Sequence, residues 1–325
     1  MKSILADVSN KEFKQTYLLY GEEAYLRHQY RDKLKVALLD GTDEMNYHHY
    51  DGKEVVIGAI IDQAETMPFF ADRRVIIIEN SGLFKQGGEA LAEYIQNPAQ
   101  TVFFIFVESE IDKRSKLFKT VRDQGRAVEF AIQETAVLTR WIHSLAQKEG
   151  KRIQAEAVAQ LLERTGADME NIRREFEKLI CYRIGETDLV KEDVEAVCTV
   201  RITNRIFEMV EAISEKNKEK TMKLYHDLME LREPPMRVLF LITRQFNILL
   251  QVKDLLNKGY GPDQIAKKVG VPPYFVQKYQ RQSSRFTKEA LKKALEECIA
   301  MDEGVKKGLQ SDRLGLELLI ISNLN

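Results

Sequence analysis

Thr66-Met67-Pro68-Phe69-Phe70-Ala71-Asp72-Arg73-Arg74-Val75-Ile76-Ile77-Ile78 is the stretch whose reading settles the fold class. Val75 to Ile78 is an unbroken β-branched run, the pattern of a strand buried on both faces. Just upstream, Val56 to Glu65 has the spacing of a short helix, and Pro68 ends it by driving Met67 out of the helical region. Helix, turn and buried strand make half of an α/β repeat. The turn carries Met67, Pro68, Phe69 and Phe70, four large apolar residues in a row. A turn cannot direct all of these into one core, so part of the set is expected at the surface as a protein-binding wedge.

Working outward, Thr16 to Tyr20 reads as a strand that stops at Gly21, followed by a helix from Glu22 to about Leu38. Asn46 to Tyr50, Thr101 to Val107 and Arg126 to Phe130 are further strands, the last preceded by a helix from Lys113 to Asp123. Strands alternating with helices predict a mostly parallel sheet covered on both faces. After Phe130 the β-type runs stop. Helices are expected from Thr135 to Gly150, Ile153 to Thr165 and Met169 to Tyr182, then a strand-like link at Thr187 to Val194 and a brief helix to Val197. From Asn204 onward the pattern is helical, broken at Pro234-Pro235, at Gly259 to Pro262 and at Val271-Pro272-Pro273. Thr287 caps a helix running to Asp302, and a last helix, Asp312 to Asn323, carries Leu314, Leu318 and Ile321 on its apolar stripe. Five or six helices in this region make a bundle. The expected division is an α/β domain at 1–134, a small helical domain at 135–205 and an all-α domain at 206–325.

At 325 residues the chain suits two or three domains. Hydrophobic residues are 44 % and charged residues 30 %, without an apolar run of bilayer-spanning length, so a soluble protein with no membrane partner is expected. The N-terminus lacks the apolar core of a signal peptide, which points to a cytoplasmic location. Cys181, Cys198 and Cys298 are odd in number and widely spaced, against a disulfide framework or a zinc site, and are expected as small core residues. The formal net charge of −1 means that any nucleic-acid contact must come from a local patch.

The strand-Gly-helix at Tyr17 to Tyr25 stands where a nucleotide-binding P-loop would be. A Walker A loop needs a glycine nest and a Lys-Ser/Thr pair for phosphate and magnesium, and Gly21-Glu22-Glu23-Ala24-Tyr25-Leu26 has only the first Gly. Ile77-Ile78-Glu79-Asn80 resembles a Walker B strand but lacks its magnesium-holding Asp. The histidines have no ligand-spaced partners beyond the adjacent His48-His49 pair, and no motif for a nucleophile or acid/base pair occurs. Neither a cofactor, a metal nor a catalytic residue is expected. Two basic stretches remain. Lys113, Arg114, Lys116, Lys119 and Arg122 open the helix after the fourth strand, and Lys253 to Lys293 holds ten Lys or Arg against three Asp or Glu. The second is interleaved with Tyr260, Tyr274, Phe275, Tyr279 and Phe286, a mixture able to stack on single strands or simply to serve as core and solvated face. An atypical nucleotide-binding protein and a helical adaptor unrelated to replication stay open on these residues alone.

Taken in order, Tyr17 to Leu26, Thr66 to Ile76, Ile111 to Lys119, Glu175 to Leu179, Asp302 to Gly308 and Leu316 to Ile320 resemble the delta subunit family of the bacterial DNA polymerase III clamp loader over essentially the whole chain. The resemblance implies an AAA+-like first domain that has lost ATP binding, a helical lid and a helical collar for oligomerisation. It implies partners too: the β sliding clamp, the ATPase subunits and delta-prime of the loader, and primer-template DNA within the complex. In such proteins the hydrophobic turn enters a pocket of the clamp and helps open its ring, which assigns clamp binding to Met67, Pro68, Phe69 and Phe70. It assigns possible DNA binding to Lys113, Arg114, Lys116, Lys119 and Arg122. Any link to DNA-directed DNA polymerase activity is through the holoenzyme and not through chemistry in this chain.

Overall fold

The computed structural model describes residues 1–39, 41, 44–199, 202–271 and 273–324; Pro272, in the expected break at Val271 to Pro273, lies outside the described residues. It forms two compact units, Met1–Gln133 with Ala167–Arg174, and Glu134–Gly166 with Glu175–Asn325.

In the first unit the order is α1 (Lys2–Asn10), β1 (Thr16–Tyr20), α2 (Ala24–Leu39), β2 (Tyr47–Asp51), α3 (Ile57–Glu65), β3 (Arg74–Glu79), α4 (Glu89–Tyr94), β4 (Val102–Glu108), α5 (Lys116–Gln124) and β5 (Arg126–Glu129). The strands form one sheet in the order β2-β3-β4-β1-β5, every pair parallel. This is the parallel α/β sheet covered by helices that the alternating pattern predicts. β1, β3 and β4 are buried along their whole length. Leu18, Ile76, Ile78, Phe104 and Phe106 face Ile60 of α3, Leu91 of α4 and Leu117 and Val121 of α5, whereas α2 packs on β1, β3 and β4.

α1 and α4 were not expected. α1 has no side-chain N-cap, and α4 is only six residues long, so neither carries a strong local signal. What holds α1 is a buried polar bridge. Asp7 receives Arg126 Nε and Nη2 at 2.7 and 2.8 Å and the Tyr17 hydroxyl at 3.0 Å. α5 begins at Lys116 rather than Lys113. The Ser115 side chain caps it by accepting from Phe118 N–H at 3.2 Å, while Asp112 accepts from Arg114 N–H at 2.8 Å in the preceding turn.

Gly21 has a geometric reason that owes nothing to phosphate. Its φ is +120°, and a Cβ there would stand 2.4 Å from the Phe130 carbonyl oxygen. Its N–H donates to Glu108 C=O at 3.2 Å, and Glu23 N–H donates to Phe130 C=O at 3.0 Å. Glu23 is buried just before α2. Burial pushes its carboxyl up to about 7, against a bond from Tyr25 N–H, and the Asp168 carboxylate pushes the same way.

The second unit begins with α6 (Thr135–Lys148), β6 (Arg152–Ile153) and α7 (Ala155–Thr165); then come α8 (Met169–Tyr182), whose residues up to Arg174 belong to the first unit, β7 (Asp188–Leu189) and α9 (Lys191–Val197). β6 and β7 pair in parallel over two residues each, too short a ladder for any periodicity to announce. The remaining helices are α10 (Ile202–Ser214), α11 (Lys218–Glu230), α12 (Pro235–Asn257), α13 (Pro262–Val269), α14 (Pro273–Ser284), α15 (Lys288–Lys306) and α16 (Asp312–Ser322). Seven helices among the described residues exceed the five or six expected. Their core joins Ile206, Tyr225, Phe246, Leu291, Cys298 and Leu316. α16 corrects the expected stripe: Leu316, Leu319 and Ile320 are buried, and Leu314, Leu318 and Ile321 are exposed. Gly315 lies on the buried face, where a Cβ would meet Gln310 Nε2 at 3.0 Å and Met301 Cγ at 3.2 Å. Cys198 and Cys298 are core residues as expected, but Cys181 is exposed.

Two stability predictions follow from the first unit. Asp7→Ala strands the Arg126 guanidinium and the Tyr17 hydroxyl and is expected to cost about 3 kcal/mol in urea unfolding, with Arg126 partly solvated. Glu23 holds its proton more tightly folded than unfolded, so its contribution is present below about pH 4.5 and is lost as pH rises through about 7. Glu23→Gln keeps the acceptor for Tyr25 and is expected to stabilise the protein at pH 8 by up to roughly 3 kcal/mol, with the gain vanishing at low pH. Parallel melting curves across this range check it.

Candidate functional site

Met67, Phe69 and Phe70 stand at the amino end of β3, with side chains 77, 51 and 93 % exposed, while Pro68 is half-buried. The two phenylalanine rings meet edge to face with centroids 4.6 Å apart, presenting one aromatic surface. Phe70 has φ +45°, a left-handed conformation that a bulky residue adopts only under constraint.

The constraint comes from two buried polar side chains. Asn46, immediately before β2 and fully buried, accepts Phe69 N–H on Oδ1 at 2.6 Å and donates Nδ2–H to the Phe69 carbonyl at 2.9 Å. The side-chain amide thus stands in for a neighbouring strand. Arg74, the first residue of β3 and 4 % exposed, donates Nε–H to Thr66 C=O at 3.0 Å and Nη2–H to Met67 C=O at 2.8 Å. Its Nη1 lies 2.6 Å from His48 Nε2, and Gln63 Nε2 lies 2.8 Å from the same ring nitrogen. With donors on that side, His48 is neutral with its proton on Nδ1. Burial, and then the Arg74 charge, hold its pKa below the ordinary value.

Both flanks of the turn are fixed. Thr66 Oγ1 donates to Asp62 C=O at 3.0 Å, and Tyr94 OH donates to Glu65 at 2.5 Å, tying the end of α3 to α4. On the far side Arg73 lies over the Phe13 and Phe103 rings, 4.9 and 5.5 Å from their centroids. His48 and His49 point to opposite faces of β2: His49 stacks on Tyr47 and lies 3.6 Å from Glu79. The sequence reading singled out the four wedge residues but not Asn46, His48 or Arg74 as their support. A buried Asn ahead of an edge strand carries no pattern of its own.

The carboxyl ends of the strands are differently furnished. Glu79 pairs with Arg31 at 2.5 Å, and Glu108 accepts from Ser81 N–H, Ser81 Oγ–H and Gly82 N–H at 2.9, 2.6 and 3.2 Å. Lys113, Arg114 and Lys116 lie toward this end, where α5 begins, whereas α5 carries Arg122 back toward the amino ends of the strands. Lys113 pairs with Glu129, Arg114 with Asp112, Lys116 with Glu93 and Arg122 with Asp123, at 2.7 to 2.9 Å. All are solvent-exposed pairs, screened by water and salt and easily exchanged for another anion. Lys113 and Arg114 precede the helix rather than lie on it.

In the Lys253 to Lys293 segment, Lys258 and Lys288 pair with Asp254, Lys278 with Glu163 and Arg285 with Glu211 and Glu215. Tyr260, Tyr279 and Phe286 pack against hydrophobic clusters, and the Tyr274 side chain lies outside the described residues. These three rings belong to the core rather than to a free stacking surface.

Two family models match the chain. The DNA polymerase III delta subunit model covers residues 17–131 and the model of its C-terminal domain covers 203–323, together more than half of the sequence. DNA polymerase III subunit delta of Bacillus subtilis (strain 168) is 29 % identical, over 96 % of this chain and 94 % of its own. The probable DNA polymerase III subunit delta of Aquifex aeolicus (strain VF5) is 23 % identical, over 86 % and 82 %. Among solved structures, the Bacillus subtilis DNA clamp loader delta protein superposes with a TM-score of 0.74 at 26 % identity, over 99 % of both chains. The chain therefore belongs to the delta subunit family of the bacterial DNA polymerase III clamp loader and serves DNA replication.

Proposed function

We propose that this delta subunit docks on the β sliding clamp through Met67, Pro68, Phe69 and Phe70 and helps to open the clamp ring for loading on primed DNA. The observation that carries the reading is the turn itself: three large apolar side chains held out in solvent by a buried polar scaffold. Exposure on this scale, on a backbone that is hydrogen-bonded from beneath, suits an aromatic anchor for a pocket on a partner. A closed ring is opened only by a protein that binds its open or strained form more tightly. The aromatic pair would supply that preference, with Phe69 and Phe70 as principal contacts.

The same reading takes 1–134 as the clamp-binding domain, 135–205 as the lid and 206–325 as the collar that joins the ATPase subunits and delta-prime. ATP is bound and hydrolysed by those other subunits. Two of the N–H groups in the Gly21 to Glu23 turn are committed to the Glu108 and Phe130 carbonyls, and Glu23 adds a carboxyl. Family membership removes an adaptor unrelated to replication. Lys113, Arg114, Lys116, Lys119 and Arg122 meet the phosphates of primer-template DNA within the assembled loader, and four of them exchange a surface carboxylate to do so.

Phe69→Ala combined with Phe70→Ala is expected to weaken clamp binding by roughly 2–4 kcal/mol, about thirty- to a thousandfold, without changing the melting temperature. Titration with the purified clamp measures this, and wild-type affinity in the double variant would sink the proposal. For DNA, Lys116→Glu with Lys119→Glu should lower the slope of log affinity against log salt for the assembled complex by about one to two. An unchanged slope removes the basic turn from the DNA contact.

A further inference from the structure

We infer that Asn46, Arg74 and His48 are positioning residues for clamp docking, setting the wedge in its binding conformation before the clamp arrives. The inference rests on the docking reading above and adds residues that would not touch the clamp.

Four hydrogen bonds reach the wedge backbone from two side chains. Asn46 takes both polar groups of Phe69, and Arg74 takes the carbonyls of Thr66 and Met67. Together they fasten three of the five consecutive residues 66–70 from beneath. With the Phe69 N–H and C=O turned inward, the chain can continue to β3 only through the left-handed backbone at Phe70, which throws that ring outward. Local preference works against this. An aromatic residue released from the constraint leaves positive φ, and free apolar side chains in a loop collapse on nearby surface. A clamp meeting the released turn would have to order it again, and the ordering cost would be taken from affinity.

His48 completes the set, because Arg74 uses its third direction on the His48 Nε2 lone pair. Gln63 of α3, a neutral group, shares that nitrogen, and Arg74 of β3 is the charge that faces it. A proton on Nε2 would remove the acceptor and set two cations against each other. The folded-state pKa of His48 lies below the ordinary value of about 6.5, so the neutral arrangement is complete above that pH and is lost as pH falls beneath it. Wedge geometry, and with it clamp affinity, should therefore decline on acidification.

The test is titration of the purified β sliding clamp with the full chain, at a temperature where a melting curve shows each variant folded. Asn46→Ala is expected to lose roughly tenfold or more in affinity, and Asn46→Asp, which keeps only the acceptor for Phe69 N–H, to fall between it and wild type. Arg74→Lys keeps the charge but cannot reach two carbonyls and an imidazole at once, and should lose about as much. Wild-type affinity should hold above about pH 6.5 and weaken as the pH is lowered beneath it, while His48→Gln, which cannot titrate, should hold a flat profile. A merely structural role would move melting temperatures but neither the affinity of folded variants nor its pH profile.

Should Asn46→Ala not fold, Arg74→Lys and His48→Gln carry the test. If Phe69→Ala with Phe70→Ala abolishes binding while Arg74→Lys and the Asn46 variants bind as wild type, the positioning inference is overturned and the docking reading stands. If the double phenylalanine variant also binds as wild type, both fall.

Discussion

A guanidinium cannot be buried without acceptors, and Arg74 is buried at the first position of a strand flanked on both sides by others. The nearest acceptors are the carbonyls of the turn that leads into that strand. By taking those of Thr66 and Met67, Arg74 draws the turn's backbone toward the protein and leaves its side chains outside. Asn46 does the same from the residue just ahead of the neighbouring strand. Polar satisfaction in the interior and apolar display at the surface are thus one arrangement, and the exposure of Met67, Phe69 and Phe70 is its consequence.

The two ends of the sheet differ in how they use charge. At the carboxyl ends, where open α/β sheets ordinarily receive ligands, Glu79 and Glu108 are satisfied by Arg31 and by Ser81 and Gly82. Arg27 lies buried within the field of both carboxylates and of Glu23. The amino end carries the outward-facing feature. The carboxylates at the carboxyl ends are thus held by groups of the protein itself, although Arg27 Nε has no hydrogen-bond partner among the described residues, and the hydrophobic turn is offered at the opposite end of the sheet.

How far the sequence could be read depended on whether a residue's fate was set locally. β1, β3 and β4 were legible because unbroken runs such as Val75 to Ile78 have few ways to hide other than in a covered sheet. The start of α5 was misplaced by three residues because Asp112 and Ser115 are both competent to organise a turn or a cap, and only the folded backbone chose between them. α16 offered two apolar stripes, and packing against the helical core buried the one containing Leu316 and Ile320. Cys181 carried no pattern to mark it as exposed, unlike the two cysteines on core faces. α1 and the β6–β7 ladder depend on partners far along the chain, Arg126 in the first case and each other in the second.

What the sequence determined by itself was the α/β sheet followed by helices, the missing Walker A pattern after β1, and the crowding of four apolar residues into one turn. Each is a matter of residue type at short range, where chain sterics and burial permit few alternatives. Tertiary structure alone decided which way those residues point. That outcome rests on an amide at Asn46 and a ring nitrogen at His48, 23 and 26 positions before the backbone carbonyl and the guanidinium they meet. Hydrogen bonds of that kind form only when a sheet has brought β2 beside β3.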